Sequence, residues 1–314
     1  MSEAATGSRP GPSFAPITAR SGISLRSFAA MLLLAVMWGL SIPVTKLGLQ
    51  TTDPMTLTAM RFAVAVPLLL FFVVGRQLMP WRALPRVAGL GVLGIGVGQV
   101  AQTFGIAGTS ASVGTIISAT IPIFITVFAA LRLGQAVSGW QKLGILTAFG
   151  GIALIALGQD PAGPSGPTSS LAGAAWVLLS ALAIAFYYVW SVELTRELGT
   201  ATVAAWSTLF GFFVLVPWAG WKMWQAPFHI TGEAVAAALY LGVVVTVAGL
   251  FLWLTLLRTV PARIAASVQY LQPVVGIAAA AAMFGDPLGP SFVAGVALVL
   301  GGLVLTVASR RKAG

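Results

Sequence analysis

The chain has 314 residues, of which 58% are hydrophobic and only 8% are charged, and its 17 Lys and Arg against 7 Asp and Glu give a net charge of +10. Soluble domains carry about a quarter charged residues, so this composition excludes a soluble globular fold. It also leaves too few polar positions for a phosphate-binding surface, which excludes nucleic acid as a partner. The chain contains no cysteine, which excludes disulfides and thiol chemistry.

Long apolar stretches dominate the chain after its first residues. A bilayer core about 30 Å thick is crossed by roughly 20 apolar residues in a helix. Ten stretches meet this requirement, and short breaks rich in Pro, Gly and charge separate them. They are 28–49, 53–75, 87–106, 109–132, 139–158, 171–193, 201–219, 233–257, 262–284 and 289–308. The pattern predicts an all-α integral membrane protein with ten transmembrane helices, a flexible cytoplasmic tail at 1–27 and a basic cytoplasmic tail at 309–314.

The distribution of Lys and Arg predicts the orientation in the membrane. With the N-terminus inside, 14 of the 17 Lys and Arg fall in inner segments, two in outer segments and Arg61 within a span. Because cytoplasmic loops carry an excess of these residues, we expect both termini to be cytoplasmic. The expected location is the bacterial inner membrane, with the lipid bilayer as the surrounding partner.

The two halves of the chain are similar at an offset of 151 residues. Pro122 then matches Pro273, Gly134 matches Gly285 and Gly144 matches Gly295. The offset divides the spans into a first repeat at 28–158 and a second at 171–308, joined by an outer linker at 159–170. Because each repeat has five spans, an odd number, the second must be inverted relative to the first. Inverted repeats around a central cavity are typical of secondary transporters.

Several motifs carry a resemblance to a known family. WGLSIPVTKLGL starts at Trp38, Arg61 lies early in the second span, and GTSASVGTIISATIPIFITVFAALRLGQ starts at Gly108; the second half repeats the end of this pattern from Leu256. The sequence resembles the EamA family of the drug/metabolite transporter superfamily over residues 28–308. The resemblance implies a ten-helix fold of two inverted five-helix repeats, and usually export of small metabolites such as amino acids.

Two prolines at matching positions point to a binding site. Pro122 and Pro273 each lack an N–H, so the carbonyls of Ser118 and Gln269 lose their helical partners. Such carbonyls within a bilayer must face protein, water or a ligand. We therefore predict hinges at these prolines beside a substrate site. The alternative is that the prolines only kink the helices for packing.

Polar and aromatic residues at the same depth form the predicted lining of the substrate site. They are Trp38, Ser41, Gln99, Gln102, Ser118, Tyr187, Trp190, Trp253, Gln269, Tyr270 and Gln272. Amide and hydroxyl groups among aromatic walls suit a neutral or zwitterionic amphipathic molecule. The alternative for each Gln and Ser is an interhelical hydrogen bond that joins helices.

Charge within the spans is scarce. Arg61 is an intramembrane cation, and it either bonds helix ends and carbonyls or binds a substrate carboxylate. No acidic residue lies near the centre of a span, so the sequence shows no dedicated proton carrier, and Glu193 is the only weak candidate. The single histidine, His229, lies in an outer loop, which excludes paired-His metal sites and a serine triad within the membrane.

These features together predict a secondary transporter that works by alternating access. Its substrate is expected to be a small neutral or zwitterionic, amino-acid-like metabolite, and the export direction and metabolite class follow from the resemblance. The alternatives are a multidrug or nucleoside exporter of the same fold, or a passive channel or facilitator. We expect no enzymatic activity, no metal and no cofactor, and a monomer or weak dimer.

Overall fold

A computed structural model describes residues 25–73, 79–134, 137–157, 170–225, 230–260 and 268–308. All regular structure within these ranges is helical, in eleven helices. They are α1 (Leu25–Gly39, continuing as Ser41–Gly48), α2 (Pro54–Val73), α3 (Leu84–Ala107), α4 (Ala111–Ser118, continuing as Ile121–Leu133), α5 (Gly139–Leu157), α6 (Leu171–Trp190), α7 (Val192–Leu198), α8 (Thr200–Gln225), α9 (Gly232–Thr259), α10 (Val268–Phe284) and α11 (Pro290–Ala308).

The helices have the length and surface of membrane spans. Seven of them, α1, α2, α3, α4, α6, α8 and α9, are long and apolar enough to cross a bilayer. The helices α5, α10 and α11 are apolar over shorter stretches of 10–17 residues. Large apolar side chains such as Phe71, Leu146 and Phe213 stand on the outside, where they are 78%, 70% and 57% exposed. Such a surface is costly in water and favourable in lipid, so the prediction of an all-helical membrane protein is confirmed.

Helices α5 and α11 cross closely through glycines. A Cβ on Gly144 would lie 2.6 Å from the carbonyl oxygen of Gly302, and a Cβ on Gly151 would lie 2.6 Å from that of Gly295. The beginning of α5 therefore meets the end of α11, and the two helices run antiparallel. Backbones approach this closely in membrane helices only where small residues line the contact.

Two further backbone features recur in both halves of the chain. Gly134 after α4 and Gly285 after α10 both have left-handed conformations, with φ of 63° and 65°. A wider, π-helical stretch occupies Gly91–Val97 in α3 and Tyr240–Ala248 in α9. Gly134 and Gly285 are 151 residues apart, and the residues that end the two π-helical stretches are separated by the same number.

The prolines at the matched positions behave differently in the two halves. Helix α4 is interrupted at residues 119–120 and resumes at Ile121, one residue before Pro122. At the break, Thr120 Oγ1 donates to the carbonyl of Ile117, 2.6 Å away. Helix α10 instead continues through Pro273. The matching sequence positions thus give one broken helix and one helix that tolerates the loss of a single hydrogen bond. Helix α1 is also interrupted, at Leu40.

Candidate substrate-binding cavity

A cavity of about 460 Å³ lies where the interrupted helices α1 and α4 meet α2, α3, α6, α9 and α10. Its volume lies in the range of small-molecule sites. Ten of the fourteen residues singled out from the sequence line it: Trp38, Ser41, Arg61, Gln99, Gln102, Ser118, Pro122, Trp253, Gln272 and Pro273. The structure thus brings residues from six different helices, far apart in sequence, around one space.

Three of the other four predicted residues lie away from the cavity lining. Tyr187 packs against Gly94 of α3, and Trp190 stacks on Phe186 with ring centroids 4.5 Å apart. Tyr270 packs against a cluster that joins α4, α5 and α11. Gln269 belongs to α10, but its side chain lies outside the part of the chain that the structure describes. Tyr187, Trp190 and Tyr270 thus contribute to helix–helix packing rather than to the cavity surface.

The cavity has lining residues that the sequence did not single out. Tyr188 lines it in place of Tyr187, together with Ile184 one turn earlier on α6. The face of α6 that carries Ser180 and Ser191 is buried against other helices. Thr115 also lines the cavity, and its spacing of three residues from Ser118 was a signal that sequence reasoning could have used.

Arg61 reaches the cavity from α2 and is held by two neutral groups. Its Nε and Nη2 both donate to Thr246 Oγ1, 3.1 Å away in each case, and its Nη1 donates to Gln99 Oε1 at 2.7 Å. Thr246 Oγ1 in turn donates to the carbonyl of Leu241, five residues earlier in the π-helical stretch of α9. The hydroxyl proton is therefore committed to Leu241, and the oxygen lone pairs remain for the guanidinium.

Trp38 forms an aromatic wall of the cavity and is oriented by the same stretch of α9. Its Nε1 donates to the carbonyl of Val245 at 3.1 Å, and its ring lies 5.9 Å from that of Trp253. Tyr240, at the start of the stretch, donates its hydroxyl to the carbonyl of Met37 at 3.0 Å. The π-helical stretch thus holds α1 on one side and Arg61 on the other. Such stretches frequently occur at functional sites.

Charge and metal-binding groups are scarce at the cavity. Ser118 is a lining residue, but its Oγ is buried without a hydrogen-bond partner among the described residues, as are those of Ser112, Ser180 and Ser207. Arg61 is the one charged residue among the lining residues, and the described ranges contain no cluster of His, Cys, Asp or Glu that could hold a metal ion.

Charged residues hold helices together at two further places. Lys46, near the end of α1, donates to the carbonyls of Ile106 and Thr109 at the end of α3, 3.0 and 2.6 Å away. Arg132, near the end of α4, pairs with Glu193 at 3.0 Å and donates to the carbonyl of Val189 at the end of α6. Cations at helix C-termini are favourable because the exposed carbonyls carry partial negative charge.

The profile of the EamA-like transporter family matches this chain over residues 25–157 and again over residues 171–308. The chain belongs to the EamA-like transporter family. This confirms the resemblance noted from the motifs at Trp38, Arg61 and Gly108, and it identifies the protein as a member of a transporter family rather than of an enzyme family.

Several curated relatives match more than four fifths of the chain. An uncharacterized transporter of Archaeoglobus fulgidus is 25% identical over 91% of this chain and 100% of its own length. The inner membrane transporter YedA of Escherichia coli K12, itself uncharacterized, is 25% identical and covers 83% and 84% of the two chains. A probable amino-acid metabolite efflux pump of Salmonella typhimurium is 27% identical and covers 88% and 93%.

A solved crystal structure shares the fold. It is 18% identical, has a TM-score of 0.62 and covers 92% of this EamA-like chain and 99% of its own. At this level of identity the likeness concerns the arrangement of helices alone. The family and its relatives establish a membrane transporter.

Proposed function

We propose that this EamA-like protein is a secondary transporter in which two inverted five-helix repeats, 28–158 and 171–308, surround the central cavity. The paired left-handed glycines, the paired π-helical stretches and the antiparallel crossing of α5 and α11 support this arrangement. The two separate matches to the family profile support it as well. Inverted repeats allow one half to rock against the other so that the cavity opens to each side in turn.

The proposed substrate is a small neutral or zwitterionic, amino-acid-like metabolite that the protein exports across the inner membrane. The observation that carries this is the cavity itself, in which the amides of Gln99, Gln102 and Gln272 lie among the aromatic walls of Trp38 and Trp253. A mostly apolar pocket with a few placed polar groups is typical of sites for small amphipathic molecules. The relative named as an amino-acid metabolite efflux pump supports the substrate class and the direction.

We further propose that both termini are cytoplasmic. The excess of Lys and Arg in the segments on one side of the ten proposed spans supports this orientation. The relative named as an inner membrane transporter supports the location.

Counterflow in proteoliposomes tests the transport function. Vesicles that contain purified protein and are preloaded with unlabelled amino acids, nucleosides or cationic drugs are given the labelled compound outside. A carrier shows saturable, transient accumulation of one class, and accumulation of a nucleoside or a cationic drug alone would identify the multidrug or nucleoside alternative. Flux that rises linearly with concentration and shows no counterflow would identify a channel.

The variant Gln272→Ala connects transport to the cavity. Loss of one hydrogen-bonding amide is expected to weaken the apparent affinity for substrate by about 2- to 10-fold. Gln225→Ala is the matched control, because Gln225 is exposed at the end of α8 and does not line the cavity. Equal transport by both variants and by the wild type would place the substrate site elsewhere.

A further inference from the structure

We propose that Arg61 binds a carboxylate of the transported molecule, and that this carboxylate, rather than an amino group, is the charged group the cavity recognises. The inference rests on the proposed transport function and assigns the substrate class of the same cavity. It chooses between the two roles that the sequence left open for Arg61.

The guanidinium has donors left over after its contacts within the protein. It carries five N–H groups, and its three hydrogen bonds to Thr246 and Gln99 use the Nε–H, one N–H on Nη1 and one on Nη2. One N–H on each terminal nitrogen remains. The N–H groups that Nη1 and Nη2 direct along their shared edge match the spacing of two carboxylate oxygens, which accept them as a bidentate pair. This pair is available when Gln99 accepts the Nη1 proton that points away from Nη2.

The charge of Arg61 also lacks a counter-charge. Both of its acceptors are neutral, and no acidic side chain of the described ranges lies within ion-pair distance. The acidic residues in those ranges all lie at or beyond helix ends: Asp53, Glu193, Glu197, Glu233 and Asp286. An unpaired cation within a bilayer is costly, so a site that keeps one is expected to be completed by an anion from outside the protein.

The rest of the lining fits the body of such a molecule. The indoles of Trp38 and Trp253 and the ring of Tyr188 provide apolar walls. Among the lining residues that the structure describes, no acidic side chain is available to pair with an ammonium group. The cavity therefore discriminates by the carboxylate, and an amino group on the substrate is tolerated rather than required.

The hydrogen-bond partners of Arg61 come from other helices rather than from a neighbouring turn of α2. Thr246 lies 185 residues away in α9, and Gln99 lies 38 residues away in α3. The guanidinium is thus fixed from both halves of the chain before any substrate arrives. A fixed guanidinium loses little side-chain entropy when it binds a carboxylate, which favours affinity.

Matched compounds that share a side chain test the inference on purified protein. Three sets, built on alanine, leucine and phenylalanine, each include the amino acid, its amide, the acid without the amino group and the amine without the carboxylate. Binding is measured as thermal stabilisation in detergent, where leakage across a membrane plays no part. We expect both acids of at least one set to stabilise the wild type, and its amide and amine to bind about 10- to 100-fold more weakly.

Variants of Arg61 locate the effect. Arg61→Met removes the charge and should lose the preference for acid over amide, and Arg61→Lys keeps the charge without the fork and should retain part of it. Arg86→Met is the matched control, because Arg86 is exposed on α3 outside the cavity. If Arg61→Met does not fold, the acid preference of the wild type and its reduction in Arg61→Lys still test whether Arg61 binds the carboxylate.

Three results would overturn the inference. They are equal binding of amide and acid by the wild type, an unchanged acid preference in Arg61→Met, or no binding of any carboxylate at millimolar concentrations. Failure of the transport proposal is a separate result: wild-type vesicles without saturable counterflow of any compound would argue against a carrier, whatever the binding comparison shows.

Discussion

Individual side chains in the cavity are positioned by one short segment of α9. Val245 accepts the indole N–H of Trp38, and Thr246 accepts two N–H groups of Arg61. In a regular α-helix the carbonyl of Val245 would be used by the N–H four residues later. The wider turn of the π-helical stretch alters this pattern and makes backbone groups available to neighbouring helices. A small change in this segment should therefore disturb two cavity residues at once.

Gly249, at the end of that segment, gives a direct test. A Cβ at this position would collide with Nε1 of Trp38, so Gly249→Ala must displace the indole and weaken its hydrogen bond to Val245. We expect apparent substrate affinity in counterflow to fall about 2- to 10-fold, as for the loss of one hydrogen bond. The control is Gly301→Ala on α11, where an added Cβ meets no atom within 4 Å. Wild-type affinity in Gly249→Ala would show that the orientation of Trp38 does not matter.

The residues of the cavity were predictable where their chemistry is unusual for a membrane helix. Polar residues and prolines within apolar spans are costly and therefore usually have a functional or structural role. Those on α2, α3 and α4, namely Arg61, Gln99, Gln102 and Pro122, line the cavity. Tyr187 and Tyr188 are adjacent and chemically alike, so the sequence does not decide which ring lines the cavity; Tyr188 lines it, and Tyr187 packs against Gly94. The sequence did not indicate that Thr246 would bind Arg61, because threonine is common in membrane helices.

At the scale of helices, the crossing of α5 and α11 depends on which face of each helix its glycines occupy. Gly151 and Gly302 lie against the partner helix, and their sequence neighbours Gly150 and Gly301 face open space. The offset of 151 residues relates Gly144 to Gly295 and Gly151 to Gly302, so the two close contacts are equivalent under exchange of the halves. The geometry of this crossing therefore supports the proposed two-fold relation between the halves.

Adjacent glycines provide a matched pair of substitutions. Gly302→Val is expected to force α5 and α11 apart, because the new Cβ would collide with the carbonyl oxygen of Gly144 and lie 2.7 Å from the amide nitrogen of Ala148. Overpacking of this kind costs about 1–3 kcal/mol, which should lower the melting temperature of the purified protein. Gly301→Val adds the same side chain one residue earlier and should leave the melting temperature nearly unchanged. Equal melting temperatures for the two variants would contradict the close crossing.

The sequence predicted the helices well and their interior irregularities poorly. Span positions follow from apolar length, and the helices found in the structure overlap each predicted stretch. The π-helical stretches and the break at Leu40 depend on hydrogen bonds that shift by one residue, which apolar composition does not encode. The continuous helix at Pro273 was likewise not predictable, since a proline can either break a helix or be accommodated within it.

At the scale of the whole molecule, charged contacts tie helices together at two sites away from the cavity. Lys46 joins the end of α1 to the end of α3, and Arg132 joins the end of α4 to the end of α6. If the helices cross the membrane in sequence, α1 and α3 end on one side and α4 and α6 end on the other. The two contacts would then lie toward opposite membrane surfaces, one joining helix ends on the proposed outer side and one on the proposed inner side.

The sidedness of these ends can be measured because the chain contains no cysteine. A single cysteine at an exposed position is then the sole target of a membrane-impermeant maleimide. Ile230→Cys lies before α9 on the proposed outer side and should react in intact cells, since Ile230 is 53% exposed. Glu197→Cys, exposed near the end of α7 on the proposed inner side, should react only after the cells are permeabilised.

The two cysteine variants test whether α8 spans the bilayer as well as the orientation of the protein. Positions 197 and 230 are separated by α8 alone, so they must label from opposite sides if α8 crosses the bilayer once. The reverse pattern would place both termini outside and would contradict the Lys and Arg asymmetry. Labelling of both from the same side would mean that α8 does not span, which would remove the odd number of spans per half and with it the inverted repeat.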